Sequence, residues 1–362
     1  MIINRLHWLI LLLIPLLFVL GACKAAENIV QDIPVLKLEE NPVPLALSVL
    51  RLTMSSGAAS GNYYSFGAAL AKVVGDTSNY LVLDVQPSEG YIENIERLAS
   101  EEAQLALAPN DMLFYAYHAT DTWQEKPPLT TLAPLMTLYP EVCQLVVRAN
   151  SPLTAVKNLK GKRVAIGEDG TAQHAGALHI LEEYGLAEDD LELLPLGFAE
   201  AAQALQEKTI DAFFVTVGTP NKGMMDLFAA REIAILSLEE EKIEKLLEKY
   251  PFYTRYTLDE NDYSFLTEPV NTVAIRVTLA ATTALSEQAA YDLVKTIIEN
   301  NYKIAVVNAK GMYIKAEEAV QGLPLKLHPG AQRYFAEIGA VKEAAEEAPP
   351  EDAEADTDVV IE

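Results

Sequence analysis

Cysteine is nearly absent: Cys23 and Cys143 are the only two in 362 residues. A disulfide framework and a paired-cysteine zinc site are therefore excluded. The chain also lacks the Gly-x-Ser-x-Gly elbow, the phosphate loop ending in Gly-Lys-Ser/Thr, and the His-Glu-x-x-His zinc motif. His118, His174, His179 and His328 do not share a metal-ligand spacing; His174 and His179 are five apart, off the i, i+4 face that two helical ligands need. Bases are scarce, with 27 Lys and Arg against 52 Asp and Glu and a net charge of −25. Nucleic acid and anionic membrane surfaces are poor partners for such a chain. No solenoid-type repeat is present.

The ends of the chain are distinctive. Arg5 followed by the apolar stretch Leu9 to Leu20 and then Leu20-Gly21-Ala22-Cys23 has the plan of an export signal. The small pair before cysteine resembles the bacterial lipobox, which implies cleavage after residue 22 and lipidation of Cys23. The alternative is a transmembrane helix, disfavoured by the short core and Pro15. With Cys23 acylated, no intramolecular disulfide remains possible, and Cys143 in an apolar run reads as a buried small hydrophobe. Residues 23–44, with three prolines and little periodicity, read as a tether. Residues 341–362 read as a disordered acidic tail, with nine acids against one lysine.

Between these ends, strands and helices alternate. Strands are expected at Leu47–Thr53, Leu81–Gln86 and Leu105–Ala108, with helices at Tyr63–Val74 and Ile92–Ser100. Leu132–Tyr139 and Val142–Arg148 read as a strand pair separated by Pro140. The alternation restarts with strand Arg163–Ile166, helix Thr171–Tyr184, strand Glu192–Leu196, helix Phe198–Gln206 and strand Ala212–Val217. This βαβ pattern predicts parallel sheets covered on both faces. A late strand at Val270–Val277 can return to the first lobe, giving lobe 1 as 45–139 with 269–340 and lobe 2 as 140–268. The expected architecture is α/β with two lobes, each a mainly parallel sheet flanked by helices, around a cleft.

Two glycine-rich loops lead from strand to helix, one in each lobe: Ser55 to Tyr64, and Gly167 to Gln173. Free backbone N–H groups and the helix dipole suit such junctions to an anion, and two of them can grip one ligand from both sides.

The chain resembles the TAXI-type solute receptors of tripartite ATP-independent periplasmic (TRAP) transporters over roughly Leu45 to Gly339. The resemblance rests on Gly61-Asn62-Tyr63-Tyr64, Ser88-Glu89-Gly90-Tyr91-Ile92-Glu93-Asn94, Ala106 to Asp111, Leu138 to Val147, Asn158 to Val164, Asp211-Ala212-Phe213-Phe214 with Gly218-Thr219-Pro220, and Leu323 to Ala331, in the family's order. One departure stands out: Gly170-Thr171-Ala172-Gln173 replaces the family's Gly-Ser-Gly-Thr. The resemblance implies a type II-like periplasmic-binding-protein fold and a receptor, not an enzyme. Such a receptor is extracytoplasmic, and the lipobox at Cys23 adds an anchor that holds it on the cell membrane by lipid (on its periplasmic side in a double-membraned cell). The receptor captures a small organic anion, glutamate or a related carboxylate, for a TRAP permease; a bound cation is conceivable in that family, but the residues themselves give no cofactor or metal site. A receptor for an ABC transporter or a sensor kinase is the alternative, and two-lobe folds also host enzymes.

Candidate ligand contacts follow, each with a plainer role beside it. Ser55, Ser56 and Asn62 offer hydrogen bonds to a carboxylate, or cap the next helix. Tyr63 lines the pocket or packs in the core. Ser88 and Asn94 flank the start of the second helix, where the resemblance puts them. Asp111 binds a ligand ammonium or caps a helix. Tyr139 and Gln144 face the cleft from the hinge strand or pack between lobes. Gly170, Thr171, Ala172 and Gln173 form the second grip or cap their helix. Gly218 and Pro220 shape the cleft floor or make a turn. The acidic run Asp259 to Asp262 has the oxygen ligands for calcium, but it lacks EF-hand spacing and reads as a solvated loop.

Overall fold

A computed structural model describes residues 48–229 and 233–342. The export signal, Cys23, the tether and the tail beyond Lys342 lie outside the described residues.

Strand β1 (Leu50–Gly57) buries Leu52 and Met54 at alternate positions and pairs in parallel with β2 (Leu81–Pro87) and β3 (Leu105–Pro109). Helix α1 (Asn62–Thr77) connects β1 to β2 and buries Phe66, Ala69, Leu70, Val73 and Val74, the i, i+3, i+4 stripe of a helix lying on a sheet. Helices α2 (Tyr91–Ala99) and α3 (Asn110–His118) follow β2 and β3.

The strand pair expected on either side of Pro140 is instead one strand of 17 residues, β4 (Leu132–Arg148). The proline is tolerated for a geometric reason. It lies opposite Arg276 of β10 (Val270–Thr282), and Arg276 sends its own N–H away from β4, to Asn110 Oδ1 at 3.0 Å. This is a non-hydrogen-bonded pair, so the missing proline N–H breaks no bond to β10.

The second half repeats the plan. Strands β5 (Arg163–Ala165), β6 (Glu192–Leu194) and β7 (Ala212–Val217) form a parallel set, with α4 (Ala172–Glu183) and α5 (Phe198–Gln206) between them. Helices α6 (Lys222–Ala229) and α7 (Glu240–Lys249) and edge strands β8 (Ile233–Leu236) and β9 (Thr254–Leu258) complete it. Helix α7 is charged on its outer face but buries Ile243 and Leu246.

The strands join in one mixed sheet, ordered β2-β1-β3-β10-β4-β7-β5-β6. Both long strands change neighbours midway. On one edge β4 pairs with β10 up to Val142 and with β8 from Leu145; β10 pairs with β9 up to Ala274 and with β3 from Val277. Helices α8 (Glu287–Glu299), α9 (Asn301–Val307) and α10 (Pro329–Glu337) return the chain to the first half, where Leu293, Val294, Ile297 and Phe335 join the core under α1. No helix among the described residues is long and apolar enough to cross a membrane.

Candidate functional site

The two glycine-rich loops open onto one cavity of about 470 Å³, within the ~300–1,000 Å³ usual for small-ligand sites. Its walls include Gly57, Ala58, Gly61, Asn62 and Tyr63 from the first loop and Thr171, Ala172 and Gln173 from the second. Gly90, Tyr91, Pro109, Glu141, Glu168, Gly197, Phe198 and Thr216 complete it. No lysine or arginine lines it.

Each loop has a local cause. In the second, Gly167 at φ +93° leaves room for the Gln173 side chain, and a Cβ there would sit 2.8 Å from Nε2. Gln173 Nε2 in turn donates to Phe214 O at 2.9 Å, fixing the loop on β7. Thr171 caps α4: its hydroxyl accepts from His174 N at 3.2 Å and donates to Glu168 O at 2.7 Å. The first backbone donor of α4, Ala172 N–H, is held by the Tyr91 hydroxyl at 3.0 Å. Tyr91 belongs to α2, so a first-half hydroxyl sits on a second-half helix N-terminus, the position a ligand oxygen would take.

With Glu168, Glu141 on β4 is one of two charged residues in the cavity wall. It accepts from the Tyr63 hydroxyl at 3.1 Å, and burial pushes its carboxyl up to about 7, against the opposing pull of the Lys310 ammonium. Lys310 lies over the Tyr139 ring at 4.8 Å, and burial lowers its own pKa. Asp111 is also pushed up to about 7 by burial, offset by the bond its Oδ1 accepts from Met112 N at 2.8 Å. Burial raises the Cys143 thiol to about 12, so it is protonated at neutral pH.

The remaining candidates fall into separate places. Ser55, Ser88 and Asn94 come together beneath the cavity: both serine hydroxyls donate to Asn94 Oδ1, at 2.7 and 2.5 Å, and Asn94 Nδ2 donates to Leu107 O at 2.8 Å. This buried knot ties β1, α2 and β3 together. Ser56 donates to Gln86 O at 3.1 Å and is fully buried. Tyr139 packs edge-on against Phe66 at 5.0 Å, with its hydroxyl unpartnered among the described residues. Gln144 is buried, and its Oε1 is likewise unpartnered. Gly170 lies in an adjoining depression with Tyr91 and Asp169. Gly218 faces Lys310, whose ammonium would collide with any Cβ there. Pro220 follows a cis peptide bond and is exposed.

The acidic run expected to be a solvated loop is in part internal. Asp262 is buried and accepts from Thr219 Oγ1 at 2.5 Å and Tyr256 OH at 2.8 Å. No group of three His, Cys, Asp or Glu side chains among the described residues is arranged to hold a metal.

Sequence reasoning passed over Tyr91, Glu141, Glu168 and Phe198. Glu141 did carry a signal, being the one charge inside the apolar run from Leu132 to Val147.

Known proteins sharpen this picture. The model of the NMT1-like family matches residues 54–339. A TctC solute-binding protein from Polaromonas superposes with a TM-score of 0.51 at 16% identity, covering 80% of this chain and 98% of that one. The periplasmic aliphatic sulphonate binding protein SsuA from Escherichia coli gives 0.49 at 15% identity, over 81% and 80%. With the family match spanning most of its length, this chain belongs to the NMT1-like family and has the two-lobe α/β fold of periplasmic binding proteins.

Proposed function

We propose that this protein is a TAXI-type receptor that captures a small carboxylate, glutamate or a related acid, and delivers it to a TRAP permease. The observation that carries this reading is the cavity between the N-termini of α1 and α4, where Tyr91 already places an oxygen on Ala172 N–H. A ligand carboxylate displaces that hydroxyl and gains the helix-terminal donors. Residues 140–268 then close on 45–139 with 269–340, and the closed pair is what the permease meets. Cys23 carries the lipid that keeps the receptor at the outer face of the membrane.

The cavity wall also constrains the ligand. Glu141 and Glu168 line it without a basic side chain, so a ligand of low net negative charge, a monocarboxylate or an amino acid, fits better than a trianion. Ligand binding to the native state alone raises the melting temperature, by about 2.7 kcal/mol of stability at 100 times Kd. A screen of amino acids, monocarboxylates and di- and tricarboxylates against residues 26–340 therefore tests the reading. A selective shift with a low-charge acid, weakened in Ala172→Pro, supports it. A shift confined to sulphonates or to uncharged solutes would replace it with a receptor of another chemistry, such as one serving an ABC transporter.

A further inference from the structure

Seven large apolar side chains are prominently exposed among the described residues, and four of them, Tyr302, Val306, Val307 and Met312, lie within eleven positions. Val306 is 86% exposed. Tyr302 and Val306 share a face of α9 by their i, i+4 spacing. The turn carrying Met312 crosses directly on that helix, since a Cβ on Gly311 would lie 2.7 Å from the Ile304 carbonyl carbon. A concentration of this kind marks a contact surface rather than scattered exposure.

Charge says what covers it. Residues 301–315 hold Lys303, Lys310 and Lys315 and no acid, in a chain with nearly twice as many acids as bases. Lys303 lies beside Tyr302, its ammonium 5.8 Å from that ring, and exposed Lys315 follows Met312, while Lys310 turns inward over Tyr139. The complementary surface is apolar at its centre with carboxylates at its edge. A lipid plane fits poorly, because it would face the whole acidic molecule instead of this patch.

The same segment reaches the cavity. Lys310 lies over Tyr139 and attracts Glu141, and Asn308 Nδ2 donates to Ser65 Oγ on α1 at 3.4 Å. The Tyr313 hydroxyl donates to Thr219 O, in the second half, at 3.2 Å. The patch therefore rides on a segment bonded to both halves of the sheet.

We propose that Tyr302, Val306, Val307 and Met312 form the docking surface for a membrane-embedded protein whose contact face is apolar with a carboxylate rim. The partner's class rests on the receptor reading above; the surface rests on exposure and charge. The test places a photo-crosslinking phenylalanine derivative at Val306 of the full chain in its own cells, with Glu244 on exposed α7 as control position. The expected product is an adduct with an integral membrane protein, identified by mass spectrometry and absent from the control. Lys303→Glu with Lys315→Glu should cut its yield about fivefold, which two exposed ion pairs can supply, without changing the melting temperature. An adduct with a second copy of the chain, an adduct with lipid, no adduct above control, or indifference to charge reversal would each overturn the proposal. Ligand-dependent thermal shift of the Val306 variant separates these outcomes from failure of the receptor reading, since it reports the cavity alone.

Discussion

Glu141 and Asp111 are carboxyl groups raised to about 7, in both cases chiefly because burial disfavours the charged form. Their folded pKa values lie above the unfolded ones of roughly 4. The folded state thus binds extra protons between about pH 4 and 7. That contribution to stability is full below pH 4, falls as pH rises through the window, and is gone above 7. Glu141→Gln with Asp111→Asn keeps both acceptor oxygens and removes both charges. The double variant should be more stable than the parent at pH 8, by several kcal/mol at about 1.4 kcal/mol per pKa unit, and alike at about pH 3.5. Equal differences at the two pH values in calorimetry would show that packing, not ionisation, separates the proteins. Residue roles were the least legible part of the sequence. Ser55, Ser88 and Asn94 have the chemistry of ligand donors, yet they hydrogen-bond to one another, to Leu107 O, to the Gly90 backbone and to Arg97. Hydroxyl and amide types do not reveal whether their partner is a ligand or the neighbouring strand. Glu141 was legible in principle, because an acid inside an apolar strand must be either satisfied or functional.

Elements were read more accurately than residues, and their errors have causes. Strand β7 and helix α5 fall at the expected residues, and the Ser286 hydroxyl caps α8 by accepting from Ala289 N at 3.3 Å. Strand β1 runs later than its apolar stretch, through Ser55 and Ser56, because buried serines with bonded hydroxyls serve a parallel strand as well as apolar residues do. Pro140 was read as a break because the sequence alone does not say which edge of a strand lacks a partner. The close crossing at Gly311 gives a test at this scale. Gly311→Ala puts a methyl 2.7 Å from the Ile304 carbonyl carbon and 2.8 Å from Ala305 Cα, both backbone atoms that cannot rotate away. Overpacking of this sort costs about 1–3 kcal/mol, so chemical denaturation should show a lower midpoint with an unchanged slope. A neutral result would mean that the turn and α9 separate readily, and that the apolar face they form is not rigid.

For the molecule as a whole, β4 and β10 are the only strands that extend through both halves of the sheet as described, and each is buried along nearly its full length. The outer strands β2 and β6 pair on one side alone. Backbone hydrogen exchange should therefore be slowest in residues 132–148 and 270–282 and faster in β2 and β6, since amides in the central ladder open only with the largest unfolding events. Ligand adds a second, separable pattern. A carboxylate held between α1 and α4 engages amides that belong to different halves, so protection should rise together around residues 57–64 and 168–174. The central strands, already near the global limit, should change by no more than the overall gain in stability. Protection appearing at one loop alone would mean that the ligand sits on a single helix terminus. The cavity would then bind without drawing the halves together, and closure would need another cause.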